Sequence, residues 1–255
     1  MISSSQNPKI KLTRALTGRP KERREAGAFL AEGVRLVEEA FAANWPFRFV
    51  LYSDELGGRG SELVKKLEDK GIETEKIKGD LLLSLSDTET PQGILAVLDH
   101  SLLSIPGSPN FVLIPDSIRE PGNLGTLLRS ADAAGVQAVL LPPETTDAFA
   151  PKVVRAGMGA HFRLPIHSMS WEEIRSQIQS MNLFLADAEG SQSCWEADFK
   201  PPLALIVGGE AEGASEHARK MANTRVKILM AGKTESLNAA VAGSVLMFEV
   251  MRQRR

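Results

Sequence analysis

The chain reads as an α/β protein whose C-terminal part is built on a mostly parallel sheet. Three observations predict this. Near-continuous apolar runs recur, as in FVLIP (111–115), VQAVLLP (136–142), NLFLADA (182–188), LALIVG (203–208) and VKILMAG (226–232), and strands buried on both faces read this way. Helical patterns separate those runs, which favours a sheet covered by helices on both sides. Pro106, Gly107 and Pro109 punctuate the stretch LDHSLLSIPGSPN (98–110), a composition that marks a connection. The division expected is a smaller α/β domain over 1–100, a linker over 101–109 and a larger domain over 110–255.

Taken in order, FRFVLYS (47–53) predicts a strand, SELVKKLEDKG (61–71) a helix ended by its glycine, and GILAVLD (93–99) another strand. Beyond the linker, FVLIP is a buried strand. NLGTLLRSADAAG (123–135) is a helix with Asn123 as N-cap and Gly135 as its stop. VQAVLLP and HFRLPI (161–166) are read as strands and WEEIRSQIQSM (171–181) as a surface helix. The three remaining apolar runs are strands, and a long helix from about Ser236 to Arg252 closes the chain.

Composition narrows the function. Of 255 residues, 43 % are hydrophobic and 24 % charged, with a net charge of -2, which is globular and rules out a polybasic binder. Cys194 is the single cysteine, so neither an intrachain disulfide nor a cysteine zinc cluster is available. The four histidines lack ligand spacing, and no metal is expected. The apolar stretch 239–248 is far shorter than a span of about 20 residues, and MISSSQNPKIK has no apolar core for a signal peptide. A soluble, cytoplasmic protein is expected. Charge is nonetheless uneven: Lys9, Lys11, Arg14, Arg19, Lys21, Arg23 and Arg24 face Glu22 alone within residues 1–24. Clustered cations suit a polyanion; a solvated helix is the plainer alternative.

Familiar nucleotide motifs fail. Gly208, Gly209 and Gly213 do not have dinucleotide-fingerprint spacing, and Lys227 stands where a P-loop ending at Gly232 needs its first glycine. G-x-S-x-G is absent. Three other segments follow strands, at the edge where open α/β sheets bind ligands. In the first, Asn123, Gly125 and Arg129 lie along one helix. In the second, VGGEAEGAS (207–215) places Glu210 in a glycine-rich turn. In the third, Ser236 and Asn238 open a helix rich in small residues. Singly, each has an ordinary reading: a capped helix, a turn in which Ser215 caps the next helix, and a buried core helix.

Together and in this order, N-L-G-x-x-x-R, G-x-E-x-x-G and S-L-N resemble the three motifs of the SpoU (TrmH-like) branch of the SPOUT RNA methyltransferases over roughly 110–253. KVVRAGMGAHFRLPI (152–166) resembles the segment between the first two motifs. FLAEGVRLVEEAF (29–41) and SDTETPQGILAV (86–97) resemble the L30e-like substrate-binding domain often found ahead of it. The resemblance implies a SPOUT α/β fold with a deep C-terminal trefoil knot, a homodimer, and methyl transfer from S-adenosylmethionine to a ribose 2′-hydroxyl. Ribosomal RNA of the large subunit is the favoured substrate. The alternatives are tRNA, a non-catalytic RNA-binding or ribosome-assembly factor, and base methylation. Motif matching puts Gly208, Ile228 and Leu237 around the cofactor, with Met230 and Leu141 as further candidates. Arg129 matches the family's catalytic arginine, with Asn123, Glu210, Ser236 and Asn238 positioning it and the ribose. A guanidinium holds its proton throughout the physiological range, so a phosphate clamp that stabilises developing alkoxide suits Arg129 better than a base. Residues 9–24 would contact RNA phosphates. Two departures stand out: Gly209 where asparagine is expected, and Gly157 where serine is common.

Overall fold

The computed structural model describes residues 1–101, 103–209, 213–234 and 236–255. They fall into two compact units, one of 1–101 with 149–162, the other of the described residues in 102–148 and 163–255. The segment 149–162, expected from the sequence in the larger domain, thus packs with the N-terminal unit.

The N-terminal unit runs α1 (Pro8–Thr17), α2 (Pro20–Ala26), β1 (Ala28–Glu32), α3 (Val34–Ala42), β2 (Phe47–Tyr52), α4 (Gly58–Asp69), β3 (Thr74–Lys76), α5 (Gly79–Leu83) and β4 (Ile94–Asp99). Its four strands are ordered β1-β4-β2-β3. β4 lies antiparallel to both β1 and β2, and β3 parallel to β2. Ile10, Thr13 and Leu16 recur at helical spacing along α1 and are buried. They set the basic N-terminal segment onto a core that includes Leu30, Phe49, Leu51 and Val97. The basic arm is therefore a pair of folded helices.

The larger unit holds β5 (Phe111–Asp116), α6 (Pro121–Ala134) and β6 (Ala138–Leu141). The chain then returns to the N-terminal unit for α7 (Pro151–Gly157) and a 3₁₀ turn (Ala160–Phe162). It resumes with β7 (Ile166–Ser168), α8 (Trp171–Gln177), β8 (Asn182–Ala186), β9 (Gln192–Ser193), β10 (Leu203–Gly208), α9 (Glu216–Met221), β11 (Thr224–Lys227) and α10 (Ala239–Gln253). α7 packs on β1, where Arg155 pairs with Glu32 at 3.3 Å and Asp87 at 3.1 Å. Phe149 meets Phe29 edge-on, with ring centroids 5.0 Å apart.

Seven strands in the order β7-β6-β5-β10-β8-β11-β9 form the second sheet, and every pair is parallel. Ala204 and Ile206 of β10 face a layer containing Ile174 and Ile178 of the α8 segment and Ala218 of α9. Val207, one residue on, faces α10, as strand alternation requires. There α10 crosses α6 closely: a Cβ on Gly243 would stand 2.5 Å from Leu127 Cδ2 and 3.2 Å from Val207 Cγ2. Ser244 Oγ, on the same helix, donates to Ser130 Oγ of α6 at 2.7 Å.

Three expected boundaries move. α6 starts at Pro121, with Glu120 rather than Asn123 as N-cap; proline at the first helical position has no N–H to leave unpaired. HFRLPI is not a strand. It begins in the 3₁₀ turn, and the ladder begins only after Pro165, which has no N–H to donate. The strand expected over 226–232 ends at Lys227, and Leu229 and Met230 are exposed. No helix among the described residues is long and apolar enough to cross a membrane.

Candidate active site

β5, β10, β8 and β11 end side by side in the larger sheet, and a cavity of about 290 Å³ opens where β10, β8 and β11 finish. β10 is inserted between β5, from which the chain winds one way, and β8, from which it winds the other. Crevices at such a switch point are the usual ligand sites of open parallel sheets. Gly208 forms one wall; Ile228, Met230 and Leu237 form another, on the stretch that leaves the sheet after β11. Ser236 lines the same cavity. Leu141 does not. It sits on β6, with β5 between it and β10, and its side chain is buried.

The second motif brings its own constraint. The Gly209 N–H donates to the Gly213 carbonyl at 3.1 Å, closing the turn. A Cβ on Gly209 would lie 2.3 Å from the Ser117 carbonyl oxygen. Ser117 is itself left-handed, with φ 57°, and is pinned: its N–H donates to Thr145 Oγ1 at 3.1 Å and its hydroxyl to Asp116 Oδ1 at 3.2 Å. Buried Asp116 also accepts the Ser215 N–H at 2.6 Å, so the end of β5 and the turn after β10 are tied together. Ser215 caps α9 by accepting from the Ala218 amide. Glu210 lies outside the described residues.

Asn238 caps α10, its Oδ1 accepting from the Ala240 amide at 2.9 Å and the Val241 amide at 3.2 Å. With Oδ1 committed, Nδ2 donates to Asn123 Oδ1 at 3.0 Å, joining the first turns of α6 and α10. Two of the predicted positioning residues therefore meet directly. Ser236 stands two residues before Asn238, on the cavity wall. Arg129 is exposed on α6, beyond Asn123 and outside the cavity wall, while Gly125 one turn earlier is buried. Gly157, at the end of α7, is buried in the N-terminal unit rather than in the unit that holds the cavity.

The basic residues of α1 and α2 divide into two sets. The Lys9 ammonium pairs with Glu73 at 2.6 Å and Glu75 at 3.0 Å and lies over the Phe49 ring. Burial opposes its charge, but the two carboxylates prevail and raise its pKa. Arg23 is buried and donates to the Leu16 and Gly18 carbonyls, each at 2.8 Å, fastening the turn between the helices. These two hold the fold together. Lys11, Arg14, Arg19, Lys21 and Arg24 are exposed.

One group in the cavity is absent from the sequence-based candidates. Asp187, just past the end of β8, lines it. Its Oδ2 accepts from Arg225 Nε at 2.8 Å and Nη2 at 2.6 Å and from Arg219 Nη1 at 3.4 Å. Oδ1 accepts the Glu189 amide at 3.0 Å. Burial alone would raise the carboxyl pKa; the amide and both guanidiniums outweigh it and hold the group below its ordinary value. Its sequence signal is an acid immediately after an apolar strand run.

Known proteins share this architecture. The SpoU rRNA Methylase family model matches residues 110–248, and a model of the MRM3-like substrate binding domain matches residues 7–96. The 23S rRNA (uridine(2479)-2′-O)-methyltransferase of Streptomyces viridochromogenes is 33% identical over 98% of this chain and 92% of its own. The 23S rRNA (guanosine(2553)-2′-O)-methyltransferase RlmP of Bacillus subtilis is 32% identical over 98% of both. The crystal structure of the SpoU methyltransferase AviRb from S. viridochromogenes with AdoMet superposes with a TM-score of 0.86 at 31% identity, over 97% of this chain and 99% of that one. A C-terminal unit with this sheet and these motifs, matched over more than half of the chain, belongs to the SpoU rRNA methylase family.

Proposed function

We propose that this protein transfers a methyl group from S-adenosylmethionine to a ribose 2′-hydroxyl of large-subunit ribosomal RNA, as a cytoplasmic homodimer. One observation carries the reading. Gly208, from the second motif, and Ile228, Met230, Ser236 and Leu237, from the third, wall one cavity, and the next residue, Asn238, bonds to Asn123 of the first motif. The residues fit the cofactor. The cavity, about 290 Å³, is near the ~300 Å³ lower end of small-molecule sites. Its apolar wall suits an adenine ring, and its glycine edge lets backbone groups approach.

When bound, the cofactor supplies an already activated sulfonium methyl. The chain's task is then to place a ribose and steady its charge. Asn238, fixed by capping α10, and Asn123 form a rigid polar ledge for the sugar. Arg129, exposed on the helix that carries Asn123, clamps the neighbouring RNA phosphate and stabilises the oxygen as its proton passes to solvent water. Holding the reacting atoms in line at roughly 3–3.5 Å is worth several kcal/mol of barrier. The N-terminal unit, over 1–100, acts as the substrate-binding domain, and Lys11, Arg14, Arg19, Lys21 and Arg24 face RNA phosphates. Residues 110–255, apart from the segment 149–162 that packs with the N-terminal unit, form the methyltransferase domain, whose cavity segments thread the family's trefoil knot. The dimer reading is supported by Val241 and Phe248, two turns apart on α10 and exposed at 47% and 42%.

The test incubates the protein with methyl-labelled S-adenosylmethionine and total RNA from a strain lacking it, followed by digestion to nucleosides. Labelled 2′-O-methylnucleoside in the ribosomal fraction is the expected result. Label in tRNA would overturn the substrate. Label in a base would overturn the reaction, and cofactor-independent RNA binding without label would overturn the enzyme.

A further inference from the structure

Asp187 has a place in the cavity that the proposed reaction does not yet use. Among the described residues lining the cavity it is the sole carboxylate; the other charged or hydroxylic side chains there are Arg219 and Ser236, and the rest are small or apolar. We propose that Asp187 recognises a ribose hydroxyl of the nucleoside cofactor and that Arg219 and Arg225 are the positioning residues that aim it. The inference rests on the methyl-donor reading above and adds to it a determinant of ligand choice.

The argument is one of donors and acceptors. A nucleoside methyl donor brings two vicinal hydroxyls into the cavity, and each proton that leaves water needs an acceptor. Arg219 can only donate. The Asp187 carboxylate can only accept, and its two oxygens offer about four acceptor directions. Oδ2 is taken up by the two guanidiniums, whereas Oδ1 receives one backbone amide. Oδ1 therefore keeps capacity for a hydroxyl. The guanidiniums fix the carboxylate's rotation, so ordering costs are met before ligand arrives. Arg219 is held in turn, its Nε donating to the Ala214 carbonyl at 3.1 Å. The group follows a strand that pairs with β10 in the middle of the sheet, and its ionised form persists through neutral pH.

Calorimetry of the full chain with S-adenosylhomocysteine and its 2′-deoxy and 3′-deoxy analogues tests this without turnover. A hydrogen bond to a charged acceptor corresponds to about 10- to 100-fold in affinity. The wild-type protein should prefer the parent compound by that factor over one of the deoxy analogues. Asp187→Ala should lose the same factor for the parent and bind both alike. Should Asp187→Ala fail to fold, with two guanidiniums left unpaired, the isosteric Asp187→Asn, which keeps an oxygen to accept from one of them, should show reduced discrimination in its folded state. Wild-type protein that ignores the missing hydroxyl, or a folded Asp187 variant that still discriminates fully, overturns the assignment. A wild-type protein that binds no S-adenosylhomocysteine at all overturns the methyl-donor reading beneath it.

Discussion

Replacing Gly209 by asparagine would supply the side chain the motif leads one to expect, and the structure says it should harm this protein. The new Cβ would sit 2.3 Å from the Ser117 carbonyl oxygen, roughly 1 Å inside ordinary contact at ~3.5 Å. The obstacle is backbone, so no rotamer change relieves it. Ser117 cannot swing away without breaking its bond to Thr145 Oγ1 or its hydroxyl's bond to Asp116, and Gly209 cannot retreat without opening its bond to Gly213. Overpacking costs about 1–3 kcal/mol, and one sacrificed hydrogen bond about 1 kcal/mol. A total near 2–4 kcal/mol corresponds to a melting temperature lower by about 4–16 °C for a domain of this size class. Thermal unfolding followed by circular dichroism reads the effect, and calorimetry with S-adenosylhomocysteine should show weakened binding, because Gly208 and Gly209 both line the cavity. Adding Ser117→Gly should recover part of the loss by freeing a left-handed residue, at φ 57°, to move. A Gly209→Asn protein that melts and binds like its parent would refute the steric argument and leave the glycine unexplained.

Four further outcomes follow from the same geometry. Arg129→Ala should abolish single-turnover methylation while leaving S-adenosylhomocysteine affinity unchanged, since Arg129 lies outside the cavity wall; a near-normal rate would remove it from the chemistry. Charge reversal at Lys11 and Arg14 should weaken RNA binding and reduce the log–log salt slope by about 0.7 for each phosphate no longer neutralised. Arg23→Ala, by contrast, should act on stability, lowering it by about 1–3 kcal/mol through the abandoned Leu16 and Gly18 carbonyls, the first of them buried, with the salt slope unchanged. Glu173 completes a capping box with Ser170, and the Ser170 amide and hydroxyl hold its pKa below the ordinary carboxylate value. A depressed carboxylate stabilises the fold above its unfolded pKa, and that contribution is lost as pH falls through the folded one. Glu173→Gln should therefore lower the melting temperature slightly at neutral pH and converge on the parent as pH falls through the carboxylate range, which flattens the acid limb; identical profiles would show that the carboxylate's charge contributes nothing.

The parallel sheet is legible in the sequence because both of its faces are covered, leaving five apolar runs that no amphipathic period interrupts. What the sequence conceals has physical causes. Apolar character in VKILMAG continues past the end of β11 because Ile228 and Met230 wall a cavity rather than a sheet; a ligand face and a core face look alike in hydropathy. Asn123 reads as a cap because its residue type favours that role, yet Pro121 starts the helix two residues earlier and leaves Asn123 to meet Asn238. β9, two residues long, is below any pattern. The basic segment stands out by charge alone, and the periodic Ile10, Thr13 and Leu16 beneath it show which cations are turned inward. Asp187 escapes a linear reading because one acid after one strand is unremarkable until a cavity and two arginines surround it.

A division of labour explains why the three motifs must arrive together. Binding surface comes from strand ends and glycine turns, whose geometry is set by the sheet ladder and needs few side chains. Orienting groups come instead from the first turns of α6 and α10, which are not part of that ladder. Left to themselves, two helices resting on a sheet could slide by fractions of an ångström, enough to misalign a transfer that depends on distance. Three contacts prevent this: Gly243 lets α10 settle against Leu127 and Val207, Ser244 bonds to Ser130 one turn further along α6, and Asn238 bonds to Asn123 at the tip. The exposed Asn238–Asn123 bond is worth little stability alone. Its orientation is nevertheless fixed, because the Asn238 oxygen is already committed to two helix amides. The third motif thus serves twice: Ser236 and Leu237 line the cavity, and the residue after them locks the ledge proposed above for the ribose.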